Sequence, residues 1–461
     1  MADEAAAKPQ GYLARHLSCE TVSYSEFKDL FIPLLLENTL GILFSLINSF
    51  VISSAGMTTL SAVSMVDTYI SMLMTVFTGI ATGASIVVAQ YHGAHRFEQM
   101  KRSAVSSITA VTLFGTLLAL FSILCRGGIV QFFFGGAEAD VLTIAKYYLA
   151  GNCISLPFYA FHSTECAVLR GVGEGKSSTI IALINSCICW ILNWFFVIFL
   201  GWGIRGLIIS IFCMRFLTMI TVFIVKRIRK SILCYKLPAL FVFDWQLLKR
   251  IFKFGFPISF ENLLFNGGRL ILQMIISPMG TNVIASYNIA YNVMSMSQCL
   301  NAAMSTTMFI TAGTCMGAGR PDDCKKLFRN VFKINTLGYA FMAAVVLVLN
   351  RPICAAFHAE PDMLPVIFVC LAITMAAQIT VHTSSFMIPN ILRAAGDVVY
   401  TTIISIASMW GFRVLGAFLL GRVFGFGVYG VYVAMAMDWT FRAIIFLHRY
   451  KQGKWEQMHV I

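Results

Sequence analysis

Apolar residues in this chain fall in long blocks broken by short polar stretches, and most blocks are long enough to cross roughly 30 Å of hydrocarbon as a helix. The pattern predicts twelve spans, at 31–53, 60–90, 103–125, 143–168, 178–200, 204–226, 250–277, 284–315, 331–349, 362–392, 399–420 and 426–448. The blocks 60–90 and 284–315 are near 30 residues; at 1.5 Å per residue such a helix reaches about 45 Å, so these two are expected to tilt or to protrude. The fold class expected is an all-α polytopic membrane protein.

The polar stretches alternate in charge. Lys226, Arg227, Arg229, Lys230, Lys236, Lys249 and Arg250 surround the middle of the chain, and His92–Arg102, Arg170–Lys176, Arg320–Arg329 and Arg449–Lys454 are also basic. The stretches between them hold one or two cations, Arg126, Arg205, Arg351 and Arg422. Positive loops stay in the cytoplasm, so both termini and the central linker are expected there, in a multi-pass protein of the plasma (inner) membrane. The net charge of +13 is then a topology signal and no nucleic-acid partner is expected. The first 25 residues lack an apolar stretch followed by a small-residue cleavage site, so the first span is expected to act as an uncleaved insertion signal.

The same landmarks occur twice. Pro33-x-x-x-Glu37-Asn38 returns as Pro257-x-x-x-Glu261-Asn262, and Gly93-Ala94 as Gly317-Ala318. Leu169-Arg170-Gly171-Val172-Gly173 returns as Leu392-Arg393-Ala394-Ala395-Gly396, and Gly201-Trp202-Gly203-Ile204-Arg205-Gly206 as Gly425-Phe426-Gly427-Val428-Tyr429-Gly430. Every offset is 223 or 224 residues. Six spans per copy is an even number, so both copies insert in the same sense, as two six-helix lobes related by a pseudo-two-fold axis along the membrane normal with a cleft between them. The expected organisation is a cytoplasmic tail (1–25), an N-lobe (26–226, helices 1–6), a basic cytoplasmic linker (227–246), a C-lobe (247–450, helices 7–12) and a C-terminal tail (451–461).

Composition agrees with lipid as the main solvent: 58% of residues are hydrophobic and 12% charged, with a mean hydropathy of +0.78, against about 25% charged in soluble domains. The thirteen Cys lie mostly inside apolar runs without zinc-site spacing, and are expected as free thiols that pack like small apolar groups.

A charge in a span must be explained, since insertion costs about 2.5–3.5 kcal/mol at the helix centre. Glu37 and Glu261 each follow a helix-interior proline by one turn; Pro33 and Pro257 free a backbone carbonyl and are candidate hinges. A carboxylate there can take a proton or bind a cation, or it can be an inherited polar pair that packs the lobes. Asn262 adjoins Glu261, and Arg269, two turns on, is expected to neutralise Glu261 or to meet an anionic substrate. Arg215, Arg413, Asp438 and Arg442 are expected as paired or snorkelling charges, and Asp67, His162, Glu165 and His382 either line the cleft or pack. The 39 Phe and 23 Met suit either a plastic binding surface or lipid contact. The run Arg170-Gly-Val-Gly-Glu-Gly175-Lys176-Ser177 imitates a phosphate loop but lacks its first glycine and a preceding strand, so it is expected to be a turn between spans.

Gly83-Ala84-Ser85 followed by Ala89-Gln90-Tyr91-His92-Gly93-Ala94, the Leu169-Arg-Gly-x-Gly turn, Leu392-Arg393-Ala394-Ala395-Gly396-Asp397, Trp410-x-x-Arg413 and Pro257-x-x-x-Glu261-Asn262 together resemble the multidrug and toxic compound extrusion (MATE) family over residues 25–455. The resemblance implies export of amphipathic, often cationic small molecules, driven by inward H+ or Na+ through alternating access, with Glu261 matching the seventh-helix glutamate tied to cation coupling. The N-lobe departs from the family pattern. Counting back from Gly56 puts Asn48 where many members have aspartate; the helix-five and helix-six sodium positions fall on Cys189, Asn193 and Ile211; and Met375 stands where another member type has an Asp three residues before Gln378. Neutral ligands compensate Na+ poorly. Glu37, three turns before Asn48, faces a similar direction, and whether it substitutes stays open.

The function expected is therefore a secondary antiporter, with the coupling ion leaning to H+ through Glu261 because a desolvated carboxyl can cycle a proton. Ion-coupling or substrate-binding candidates are Glu261, Glu37, Asn48, Asn193, Arg269, Asn262 and Gln378. No cofactor or resident metal is expected; the partners expected are a small-molecule substrate and membrane lipids, and the chain is expected to be a monomer. The alternatives are a lipid-linked saccharide flippase of the same superfamily, an intramembrane lipid-modifying enzyme, which would need His, Asp or Glu clustered at one membrane face, and a non-transporting receptor or scaffold.

Overall fold

The structure is a computed structural model that describes residues 14, 16–53, 57–134, 139–235, 244–357, 359–458 and 460, with backbone alone at 43, 45–53, 57–61 and 134. The described chain is helical. The first half gives α1 (Tyr24–Ser53), α2 (Met57–Gly93), α3 (Phe97–Leu124), α4 (Arg126–Phe134), α5 (Ala139–Ile154), α6 (Leu156–Gly171), α7 (Gly175–Asn193), a π turn (Trp194–Phe199) and α8 (Gly203–Ile228). The second half gives α9 (Trp245–Ile276), α10 (Thr281–Ser297), α11 (Cys299–Gly317), α12 (Pro321–Val348), α13 (Asn350–Ala356), α14 (Met363–Ala377), a π turn (Gln378–His382) and α15 (Thr383–Ala395). It closes with α16 (Val398–Ser408), π turns at Met409–Val414 and Leu419–Val423 around α17 (Leu415–Phe418), and α18 (Gly427–Lys451).

The repeat reappears in the element boundaries. α3 and α12 begin at 97 and 321, α5 and α14 at 139 and 363, and α8 and α18 at 203 and 427, each pair 224 residues apart. Every predicted span maps to one helix or to a run of consecutive helical segments, and the molecule is an all-α membrane protein of twelve spans in two six-span repeats. Among the described residues eight helices are by themselves long and apolar enough to cross a bilayer.

Five predicted spans are not single α-helices. The span 143–168 breaks at Ser155, whose hydroxyl donates to the Asn152 carbonyl at 2.7 Å, ahead of Pro157 in the first turn of α6. The span 284–315 breaks after Ser297, whose hydroxyl donates back to the Met294 carbonyl at 2.6 Å. A serine that bonds the preceding turn competes with the backbone ladder and bends the helix. The spans 178–200, 362–392 and 399–420 stay helical but widen into π turns, at 194–199, at 378–382, and at 409–414 and 419–423. By contrast 60–90 is one unbroken helix, so the two copies of the second span differ.

The helices are sided the way lipid requires. On α3, Ser103, Ala104, Ser107, Ile108, Val111, Gly115, Ala119 and Ser122 are buried, while Leu113, Leu117, Leu120, Phe121 and Leu124 are exposed. Small residues face neighbouring helices because close packing holds spans together, and bulky ones go outward, where hydrocarbon is as good a solvent as a core.

The chain forms two compact units: Met1–Leu35 with Ala89–His95 and Leu264–Ile461, and Leu36–Val88 with Arg96–Leu263. α1, α2 and α9 each run through both. Within the first, the end of α2 crosses the end of α11 with almost no gap: a Cβ on Gly93 would sit 2.0 Å from the Thr314 carbonyl oxygen, and one on Gly317 2.0 Å from that of Gln90. The duplicated Gly-Ala pair thus marks one reciprocal crossing. Within the second, α7 lies on α8 and α3 on α6.

Gly317→Val should destabilise the protein by about 2 kcal/mol or more, since backbone cannot yield to the added atoms. Thermal unfolding in detergent should show a lower Tm, whereas Gly267→Ala, whose Cβ meets nothing within 4 Å, should leave Tm unchanged or raise it. Equal Tm values for both variants would remove the crossing from the account.

Candidate functional site

In the unit that contains most of the first half, Glu37 is half-buried and ion-paired. Arg170 Nη1 lies 3.5 Å from Glu37 Oε1, and the Thr179 hydroxyl donates to Oε2 at 3.2 Å. Arg170 also donates to the Ser178 hydroxyl at 3.2 Å. The turn that imitates a phosphate loop therefore does two things: it ends α6 at Gly171, with Gly173 at φ +84°, and it aims Arg170 at the carboxylate on α1. From the sequence Arg170 is a turn residue, a loop cation and a repeat landmark; its recurrence as Arg393 is the signal that it does more.

Glu165 is completely buried and meets Lys226 Nζ at 3.1 and 3.2 Å, with the Tyr235 hydroxyl donating to it. Burial and then the Glu165 carboxylate push the Tyr235 phenol well above its ordinary pKa. Lys226 was read from the sequence as a topology charge alone. Asp67 accepts from the Tyr148 hydroxyl at 2.9 Å. Buried Arg215 donates to Asn152 Oδ1 at 2.9 Å and to the Ser155 hydroxyl at 2.7 Å, so the break between α5 and α6 is also the seat of a buried cation. Asn193 accepts from Ser210 at 2.5 Å, and its amide nitrogen lies 3.5 Å from Cys189 Sγ. Two of the three neutral positions expected from family spacing are thus neighbours, at the entry to a π turn. His162 Nε2 lies 3.4 Å from Cys166 Sγ. Asn262 is half-buried; Asn48 lies on α1, and its side chain falls outside the described residues. Glu261 is 6% exposed on α9, and its helix, like α1, runs through its interior proline unbroken.

The unit that contains most of the second half holds a larger buried network. Asp438, on α18, meets Arg413 at 2.5 Å and Arg442 at 3.4 Å and accepts from Ser408. Arg442 lies 4.5 Å from the centre of the Phe386 ring and Arg413 5.7 Å from that of Trp439, contacts that spread their charge over π faces. These charges are paired, as expected. His382 stacks on Phe386 at 4.2 Å and lies edge-on to Trp439 at 4.6 Å, with the Tyr339 hydroxyl 2.9 Å from its Nδ1. Asn335 donates to Asn301 and to Thr383, both at 2.9 Å, and Ser297 donates to Gln378 at 2.9 Å. Gln378 and His382 bound one π turn and Arg413 sits in another; the additional residue in such a turn re-aims side chains into the bundle. Asn301, Asn335 and Tyr339 were missed, though an Asn inside an apolar block is itself a signal.

Arg269 does not form the expected ion pair. It is exposed, its guanidinium lies 5.7 Å from the centre of the Tyr291 ring, and among the described residues it has no carboxylate partner. Nor, among the described residues, do three or more His, Cys, Asp or Glu gather to hold a metal.

The MatE family model matches residues 33–195 and again 257–419. The chain is 23% identical over 446 residues, 95% of this chain and 94% of the other, to a probable multidrug resistance protein NorM of Thermotoga maritima. It is 24% identical over 436 residues, 93% of each chain, to a probable multidrug resistance protein YoeA of Bacillus subtilis. Among solved structures, a MATE in complex with MaL6 superposes with TM-score 0.86 at 16% identity, covering 97% of this chain and 100% of the other. A transporter of the MOP superfamily from Pyrococcus furiosus, described as having a binding pocket of reverse polarity that suggests a different function, superposes with TM-score 0.85 at 17% identity, covering 97% and 99%.

Asp438→Asn should cost about 3–5 kcal/mol, because it leaves two buried guanidiniums beside a neutral amide. Unfolding of the purified protein in detergent checks this; stability equal to wild type would show that other groups balance Arg413 and Arg442.

Proposed function

The chain belongs to the MatE family, and on that premise we propose that it is a cation-coupled antiporter that exports amphipathic, drug-like small molecules by alternating access. The observation that carries the reading is the duplicated Pro-x-x-x-Glu-Asn, which supplies a partly or wholly buried carboxylate in each repeat, Glu37 at 28% side-chain exposure and Glu261 at 6%. The names of the full-length relatives, probable multidrug resistance proteins, support the substrate class.

The two carboxylates have unequal tasks in this proposal. Glu37 already carries Arg170 and Thr179, so it is a charge held in place, and protonating it would break an ion pair. Glu261 is the coupling residue: a carboxyl so deeply buried is the better candidate to load and release an ion. The ion biases the access states only by its different affinity for each. With Cys189 and Asn193 neutral and hydrogen-bonded locally, a first-half sodium site lacks charged oxygen ligands, which favours H+ over Na+. The lobes 26–226 and 247–450, both termini in the cytoplasm and a monomer in the inner membrane complete the proposal.

A second reading is favoured by Arg269. The spans of the second-half unit carry Arg269, Arg413 and Arg442 against Asp438, and Arg269 stands over Tyr291 without a carboxylate partner among the described residues. That surplus suits an anionic amphiphile, the charge expected of a lipid-linked saccharide, better than a cationic one.

Purified protein in liposomes tests both readings, with uptake of a lipophilic cationic dye and of an anionic one measured under an imposed pH gradient or an imposed Na+ gradient. Transport of the cationic dye driven by the pH gradient, abolished in Glu261→Gln and reduced at least ten-fold in Arg170→Gln, is expected. Flux indifferent to both gradients in wild type, or undiminished in Glu261→Gln, refutes the coupling. Preference for the anionic dye, lost in Arg269→Gln, selects the second reading.

A further inference from the structure

The cytoplasm-proximal start of α12 carries three cations, Lys326, Arg329 and Lys333, that neither its ion pairs nor the proposed transport cycle uses. Residues 321–333 hold Asp322, Asp323, Lys325, Lys326, Arg329 and Lys333; residues 334–348 hold fifteen uncharged residues, about 22 Å of helix. The charged stretch therefore stops where hydrocarbon begins, and its last cations stand at headgroup level.

The nearby carboxylates are already taken. Asp323 accepts from the Thr21 hydroxyl at 2.6 Å and from its amide at 3.1 Å. Asp322 and Glu456 both bind Lys325, at 3.1 and 2.7 Å. Lys326, Arg329 and Lys333 are left without a carboxylate among the described residues. Spaced three and four apart, they share one face of the helix.

That face lines a cavity of about 680 Å3 that Leu447 and Tyr450 of α18 also line, with Phe332 between the cations in sequence. The volume is in the range of small-molecule sites, roughly 300–1,000 Å3. Phe328, Phe332, Leu447 and Tyr450 give the wall an apolar part beside the cations; Asp322, whose carboxylate is paired with Lys325, and the Ser384 hydroxyl complete it. The rule that puts positive charge on the cytoplasmic side explains how many cations α12 has, not why three converge on a cavity. The repeat makes the contrast: the positions of α3 that correspond to Lys326, Arg329 and Lys333 are Arg102, Val105 and Thr109, and Arg102 is paired with Asp244 at 3.1 Å. One copy thus meets the topological requirement without a three-cation face, and the other adds one beside an apolar hollow.

We propose that this cavity is a binding site for an anionic glycerophospholipid of the adjoining leaflet, its phosphodiester held by Lys326, Arg329 and Lys333 and its acyl chain lying along Phe332 and Leu447. A soluble anion would match the cations and leave the apolar wall wet; a zwitterionic lipid would match the wall and bring its own cation against three more.

Native mass spectrometry of the full-length protein, purified in neutral detergent and given equal amounts of phosphatidylglycerol and phosphatidylcholine, tests this. Wild type should retain phosphatidylglycerol preferentially. The triple variant Lys326→Gln, Arg329→Gln, Lys333→Gln should lose that preference, by about five-fold per charge removed, and Arg329→Gln alone should lose about five-fold should the triple variant fail to fold. Phe332→Ala should weaken binding with all cations in place. A charge-matched control, Lys101→Gln, Lys230→Gln, Lys253→Gln, should keep the wild-type preference. No preference in wild type, equal loss in the control, or displacement of the lipid by inorganic phosphate as readily as by phosphatidylglycerol would each overturn the proposal.

Discussion

Hydrocarbon solvates neither an open backbone hydrogen bond nor a lone charge, and the rest of this structure depends on how that constraint is met. The described backbone is helical throughout the spans. Its deeply placed charges are matched mostly by charges or dipoles on other helical segments: Glu165 by Lys226, Asp438 by Arg413 (with Arg442 added from one turn along its own helix), Arg215 by Asn152 and Ser155. Apart from Arg442, each match ties together segments at different places in the sequence, so the polar groups that hydrocarbon penalises most also fix which helices are neighbours. Such pairs add little net stability, and losing one partner of a pair costs far more than the pair contributes. They specify an arrangement more than they strengthen it.

The departures from straight helices occur beside these groups. The Ser155 break exposes the Asn152 end of α5 to Arg215, and the Ser297 break lets one hydroxyl serve both its own helix and Gln378. The π turns hold Gln378, His382 and Arg413 and follow Asn193 directly. A uniform helix presents a side chain every 100° whatever its neighbours need; a break or an added residue turns one into register. Such irregular turns are common at functional sites, and here they bring polar side chains into otherwise apolar bundles.

Duplication supplied the frame, and divergence supplied the differences that a transport cycle can use. Both halves retain the glutamate after the helical proline and the arginine before the glycine turn, and the Gly93 and Gly317 crossing keeps its reciprocal fit. Yet the second span is unbroken in one copy and broken in the other, the aromatic and amide network around His382 belongs to the second half, and so does the cation face of α12. Two copies under the same solvent constraint need equal helices but not equal chemistry.

The sequence by itself determined the number of spans, their repeat and the residues that hydrocarbon would penalise. Those properties are local or periodic: a run of apolar residues has one stable state in lipid, and an offset of 224 is visible without coordinates. It marked Glu37, Glu165, Arg215, Arg413, Asp438 and Arg442 as needing a reason. Only the tertiary structure decided what the reasons were. Arg170 reaches Glu37 across 133 residues and Lys226 reaches Glu165 across 61, and the expected link from Arg269 to a carboxylate gave way to an aromatic face. Partners at such separations are chosen by how helices pack, and packing depends on glycine crossings and serine bends that hydropathy does not register.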